Sequence, residues 1–161
     1  MLLLQLVLYC GLYFLMVKLA AKDSGRNCLY FYSEAYQTEA EKRGIAHKKD
    51  TAQKRKRFMT VFSLVMLAAL LLILCVWNRV TDFKTAYWQA ALFLVGMNWF
   101  DGIVIDMLWV GHSKIWRIQG MEGVPYTWTW AGMCKKRAGY TVMYLVVAAA
   151  VAGLVVLLGK L

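Results

Sequence analysis

FMTVFSLVMLAALLLILCVW, residues Phe58–Trp77, runs twenty positions without a charged side chain. At about 1.5 Å per residue, a helix of that length spans a hydrocarbon core of roughly 30 Å. Charge stops abruptly on entering it, at Lys54-Arg-Lys-Arg57, and returns just after it, at Arg79. Three further apolar runs lie on either side: Met1–Val17, Thr85–Val110 and Tyr140–Leu158. The chain therefore reads as an all-α polytopic membrane protein, a four-transmembrane-helix bundle forming one membrane domain over residues 1–161. Its spans are expected at about 1–20, 58–77, 85–110 and 140–158, separated by loops at 21–57 and 111–139. Hydrophobic residues make up 61% of the chain and the mean hydropathy is +0.51. Soluble domains lie nearer about 45–50% apolar, so disorder, a soluble enzyme and a secreted disulfide mini-domain are excluded.

The charge is as lopsided as the hydropathy: Lys+Arg 19 against Asp+Glu 9, a formal net charge of +10. Ten of the basic residues fall in 21–57 and five in 111–139. The connection at 78–84 holds only Arg79 and Lys84, and the C-terminal tail only Lys160. Basic residues stay preferentially on the cytoplasmic side, which predicts both long loops in the cytosol and an N-out/C-out topology. The first run lacks a basic n-region and a small-x-small cleavage site, so it reads as a retained span and not a signal peptide. Tyr9 before Cys10 is too large for lipoprotein processing. Cys10, Cys28, Cys75 and Cys134 have no C-x-x-C spacing, and lie in spans or cytosolic loops where thiols stay reduced.

Within the first loop, Cys28-Leu-Tyr-Phe-Tyr32 is expected at headgroup level, as aromatic interfacial segments are. Ser33 is positioned to cap a short helix through Arg43, with Glu39 and Arg43 paired at i,i+4 and Gly44 as the stop. Asp50 is expected to cap a turn leading through Lys54, Arg55, Lys56 and Arg57 into the second span. These four cations are candidate contacts for anionic lipid headgroups, at roughly 1 kcal/mol per residue. They flank a span as the topology rule requires, which argues against nucleic acid as a partner. His47 reads as a solvated loop residue.

The third span is the unusual one, carrying Gln89, Asn98, Asp101 and Asp106. An ionised carboxylate inside a spanning helix costs about 2.5–3.5 kcal/mol on insertion scales, so each marks a functional hypothesis. Asp101 lies roughly 24 Å and Asp106 roughly 31 Å along the helix from Thr85. At 3.6 residues per turn, Asn98, Asp101, Gly102, Ile105, Trp109 and His112 share one stripe, with Asp106 at its edge. The expectation is a cytosol-facing polar groove supplemented by the following loop. Its candidate ligand- or ion-binding residues are Asn98, Asp101, Asp106, Trp109, His112, Lys114, Arg117 and Glu122.

Asn98-Trp-Phe-Asp101, Asp106-Met-Leu-Trp109, His112-Ser-Lys114 and Ile118-Gln-Gly-Met-Glu122 together resemble a segment of small bacterial four-helix membrane proteins. In that group an Asp-bearing third helix runs into a Trp/His/Lys segment and an Ile-x-Gly-x-Glu loop; Met121 stands where Thr is more usual. The resemblance implies the four-helix architecture and a bacterial cytoplasmic membrane, and it names no activity, substrate or cofactor.

Several uses of the groove compete. A metal held by Asp101, Asp106, His112 and Glu122 is disfavoured, because spacings of five and six do not put ligands on one face of an α-helix. No metal is expected. His112 as a base oriented by Asp101 or Glu122 would make a membrane-embedded enzyme on a lipid-like substrate. Binding or carriage of a small ligand, lipid headgroup or ion is the leading expectation. The bland alternative is that Lys114, Arg117 or the Lys135-Lys-Arg137 cluster neutralises the acids structurally. Tyr126-Thr-Trp-Thr-Trp130 reads as interfacial anchoring. Small residues in the fourth span (Ala148/Ala152, Ala149/Gly153) invite close helix packing, either within the chain or in a homo-oligomer. An accessory subunit that only packs against a partner is the third class.

Overall fold

The computed structural model describes residues 1–22 and 24–159; Lys160, the basic residue of the tail, lies outside them. The described residues are helices and connections, with no strand among them. Helix α1 covers Leu2–Ala21, α2 Glu34–Lys42, α3 Lys48–Leu71, α4 Phe83–Phe100 and α5 Trp130–Leu158. Two of these continue as π-helix, α3 through Leu72–Trp77 and α4 through Asp101–Val110. Short 3-10 segments occupy Gly25–Phe31 and Lys114–Trp116. Four helices are long and apolar enough to cross a membrane: Leu2–Ala21, Lys48–Trp77, Phe83–Val110 and Trp130–Leu158. Leu3, Val7, Leu64, Val76, Val146 and Leu157 all point outward, each more than half exposed. So wide an apolar perimeter fits an integral membrane protein and not a soluble monomer.

Local signals set the helix ends. Ser33 Oγ accepts from the Tyr36 N–H at 3.3 Å, and Glu39 bonds Arg43 at 2.8 Å. Gly44 turns the chain with a φ of +69°, open to glycine at no steric cost. The next helix starts before the residue expected to cap it. His47 holds the cap position, Glu41 Oε1 accepts from Lys48 N at 3.2 Å, and Asp50 lies in the first turn. With no Gly or Pro between Lys48 and Trp77, the basic stretch and the apolar span form one rod. Asp82 caps α4 through Thr85 N at 2.9 Å. Thr129 caps α5 through Gly132 N at 3.2 Å, so this helix is already three turns long where its apolar span begins. Lys135, Lys136 and Arg137 therefore lie on a helix, not in a loop.

Two buried clusters hold the molecule together. One lies among the spans, where Ala86, Ala90, Ala148 and Ala152 are fully buried and let α4 and α5 pack closely. This uses the Ala148/Ala152 pair inside the chain; Ala149 and Gly153 are only half-buried. At the end remote from the loops, fully buried Gln5 donates to Asn78 Oδ1 at 2.6 Å, and Asn78 donates to Gln89 at 2.7 Å. That places Gln89 in a cross-helix amide network. The second cluster forms a cap from the two long loops. Cys28, Leu29, Tyr32, Tyr36, Trp116, Ile118 and Met121 are buried in it. Most of the 28–32 segment is thus folded inward, with Tyr32 donating to the Trp116 carbonyl at 2.6 Å. Gly25 makes this possible, since a Cβ there would meet the Tyr32 hydroxyl at 2.2 Å and Trp116 Cα at 3.0 Å.

Candidate functional site

The polar centre of the molecule forms where the C-terminal end of α4 meets α5. Asp101–Val110 is π-helical, and its i→i+5 bonding brings residues five apart onto one side. Asp106 is therefore not at the edge of the polar stripe, as 3.6-residue spacing predicts, but beside Asp101. Both carboxylates meet the same guanidinium. Arg137 Nη1 lies 2.5 Å from Asp101 Oδ2, and Nη2 is paired with Asp106 Oδ2. Lys136 Nζ adds a second cation 3.4 Å from Asp106. Two acids and two bases balance in charge, which makes their burial affordable.

The rest of the constellation holds Arg137 in place. Its side chain is 5% exposed. Asn98 Nδ2 donates to the Arg137 carbonyl at 2.9 Å and to Thr141 Oγ1 at 3.1 Å. Tyr13 of α1 and Asp101 line the same cleft. Gly102 leaves room for the arginine, since a Cβ there would meet Arg137 Cγ at 2.9 Å and Met133 Sδ at 2.8 Å. Among the described residues, no three His, Cys, Asp or Glu side chains come together to hold a metal; Arg137 occupies the space between the two acids.

Of the eight expected groove residues, the fold gathers Asn98, Asp101 and Asp106 and disperses the others. Trp109 packs on Phe14 at 4.8 Å and edge-on to Trp116 at 5.1 Å. His112 Nδ1 lies 3.1 Å from the carbonyls of Met107 and Leu108, finishing its own helix. Lys114 and Arg117 are exposed and make no ion pair among the described residues. The acids are neutralised from the neighbouring helix instead. Glu122 is exposed and accepts from Gly120 N at 3.0 Å. Backbone N–H groups at Glu122 and Gly120 hold its carboxyl below the usual range.

Beside the ion network opens a cleft of about 530 Å³, set between α3 and α5 with Asn98 and Asp101 of α4 at its back. Arg55, Glu34 and Gln37 reach it from one side, and Lys136 with Trp128 from another. Phe58, Met59 and Phe62 of α3 and Tyr140, Met143 and Tyr144 of α5 form its apolar walls. The basic quartet is thereby divided: Arg55 lines this cleft, whereas Lys54 lines a separate cavity with Arg26 and His47. Trp128 lies under the Lys136 ammonium, 4.6 Å from ring centre to Nζ.

Sequence reasoning named Lys136 and Arg137 only within the Lys135-Lys-Arg137 cluster, as one of several neutralisers of the acids and not as groove residues, and it passed over the aromatic walls. One signal was present: Arg137, Thr141 and Tyr144 recur at i, i+4 and i+7, the spacing of a single helical face. Reading it needed the fourth helix to begin before its apolar run. Comparison with protein families, curated proteins and solved structures found no match.

Proposed function

We propose that this chain is an integral protein of the bacterial cytoplasmic membrane, with both termini outside, that binds a lipid-like amphiphile in the cleft between α3 and α5. The observation that carries this reading is the gradient along the cleft. Arg55 and Phe62 on α3 are seven residues apart, as are Lys136 and Met143 on α5, so each wall passes from cation to apolar side chain over roughly 10 Å. A charged rim above an aromatic and methionine-rich floor matches a molecule with a polar head and an apolar tail, and methionines adapt to irregular chains. The volume falls within the range of about 300–1,000 Å³ typical of small-molecule sites. Ion carriage is less well supported, because both acids are engaged by Arg137 and Lys136.

Filling the cleft tests the proposal. Met59 and Met143, each nearly half exposed, can be replaced together by Trp without opening a cavity. With a photoactivatable fatty-acyl probe in detergent, wild type should cross-link on α3 and α5 peptides. The Met59→Trp/Met143→Trp variant should lose that labelling while melting within a few degrees of wild type. Labelling that persists in the filled variant, or that maps to the outer perimeter alone, overturns the reading.

A further inference from the structure

Resting on the reading of the cleft as a lipid site, we propose that its ligand is a phosphate-bearing lipid whose phosphate is received by Arg55 and Lys136. The three cations on the cleft are not equivalent. Arg137 is charge-balanced and buried: its two terminal nitrogens are committed to Asp101 and Asp106, and its Nε, though without a partner, is shut off from the surface. Arg55 is exposed and has no carboxylate within 4.0 Å among the described residues. Its guanidinium fork suits a phosphate, which it can meet through two parallel N–H bonds.

Lys136 stands on the opposite wall and is already oriented. Asp106 lies 3.4 Å from its Nζ and the Trp128 ring 4.6 Å below it. An ammonium has three donors, so one acidic partner leaves donors for a ligand. The anchoring also means that little side-chain freedom is lost on binding. Glu34 is the one acid on the rim outside any ion pair among the described residues. It is placed to accept from hydroxyl or ammonium donors of a headgroup. Below these groups Phe58, Phe62, Met143 and Tyr144 continue downward, so the phosphate and the tail would be read by different parts of one site.

The test uses purified full-length protein in neutral detergent and two probes with the same fluorescent acyl chain: phosphatidylglycerol and diacylglycerol. Phosphatidylglycerol should bind about tenfold more tightly than diacylglycerol, as expected for the gain of one charge-assisted contact. Arg55→Gln and Lys136→Gln should each abolish most of that preference, lowering phosphatidylglycerol affinity far more than diacylglycerol affinity. Lys54→Gln/Lys56→Gln/Arg57→Gln, which removes more charge outside the cleft, should preserve it. Millimolar inorganic phosphate should fail to displace the lipid.

Equal affinity for the two probes overturns the phosphate assignment and leaves the cleft reading standing, whereas failure of both probes to bind sinks both. A triple variant as impaired as Arg55→Gln would show diffuse attraction in place of a site. Displacement by inorganic phosphate would assign the cations to a free anion. Arg55 is exposed, so its variant is expected to fold and keeps the test decisive if Lys136→Gln does not.

Discussion

Arg137 is, among the described residues, the side chain that joins both acids of the third span to the fourth. Removing it leaves Asp101 and Asp106 side by side with only the half-exposed Lys136 to compensate. Stripping one partner from a buried ion pair costs about 3–5 kcal/mol, so Arg137→Met should lower the melting temperature in detergent sharply. Asp101→Asn is milder: Arg137 keeps Asp106, and a neutral amide can still accept from Nη1. A loss of about 1–3 kcal/mol is expected, the range for an impaired buried hydrogen bond. A melting temperature unchanged by Arg137→Met would show that the network adds nothing to stability. Asp101 and Asp106 were readable in sequence as residues that demand a partner, since an unpaired carboxylate in a span is too expensive. The partner's identity was not, because Lys114, Arg117 and the 135–137 cluster carry equivalent charge. Only the early start of α5, with Arg137 turned onto the Thr141 and Tyr144 face, selects among them.

At the scale of elements, the π-helical run from Asp101 to Val110 is what makes a five-residue spacing work. In an α-helix, positions four apart share a face and positions five apart do not. Deleting exposed Ile103 would bring the acids to i,i+4 and let the segment relax to α-helix with both still facing Arg137. Inserting an alanine after Ile103 would separate them instead. The deletion should therefore lower the melting temperature much less than the insertion, and less than Arg137→Met. A deletion as damaging as Arg137→Met would mean that the π geometry itself is required. The contrast with α2 explains what was readable beforehand. Ser33, Glu39, Arg43 and Gly44 act through bonds four residues long or less, so their roles follow from spacing alone. The π turn departs from the periodicity on which such reading depends, and no residue type announces it. The cap is a similar case: Cys28–Tyr32 is aromatic enough for an interface, and its burial follows from a contact with Trp116 far along the chain.

For the whole molecule, the decisive quantity is which end faces the cytosol. The loop end gathers fifteen of the nineteen basic residues and the rim of the cleft, while the other end carries Arg79, Lys84 and the Gln5–Asn78–Gln89 network. On the proposed topology, the positive-inside bias predicts the cleft mouth on the cytosolic side, where a ligand headgroup would come from the inner leaflet. Cysteine accessibility tests this, and the fold dictates which cysteine to use. Cys28 is fully buried in the cap and Cys10 is buried among the helices, so neither reports on sidedness; Cys134 is exposed near the start of α5. A variant keeping only Cys134 should resist a membrane-impermeant maleimide in intact cells and react once the membrane is permeabilised. Lys84→Cys in a cysteine-free background, exposed in the first turn of α4 at the opposite end, should react in intact cells. The reciprocal pattern would invert the protein and put the cleft mouth in the outer leaflet. Arg55 and Lys136 would then face lipids delivered from outside, and the basic loops would violate the positive-inside bias.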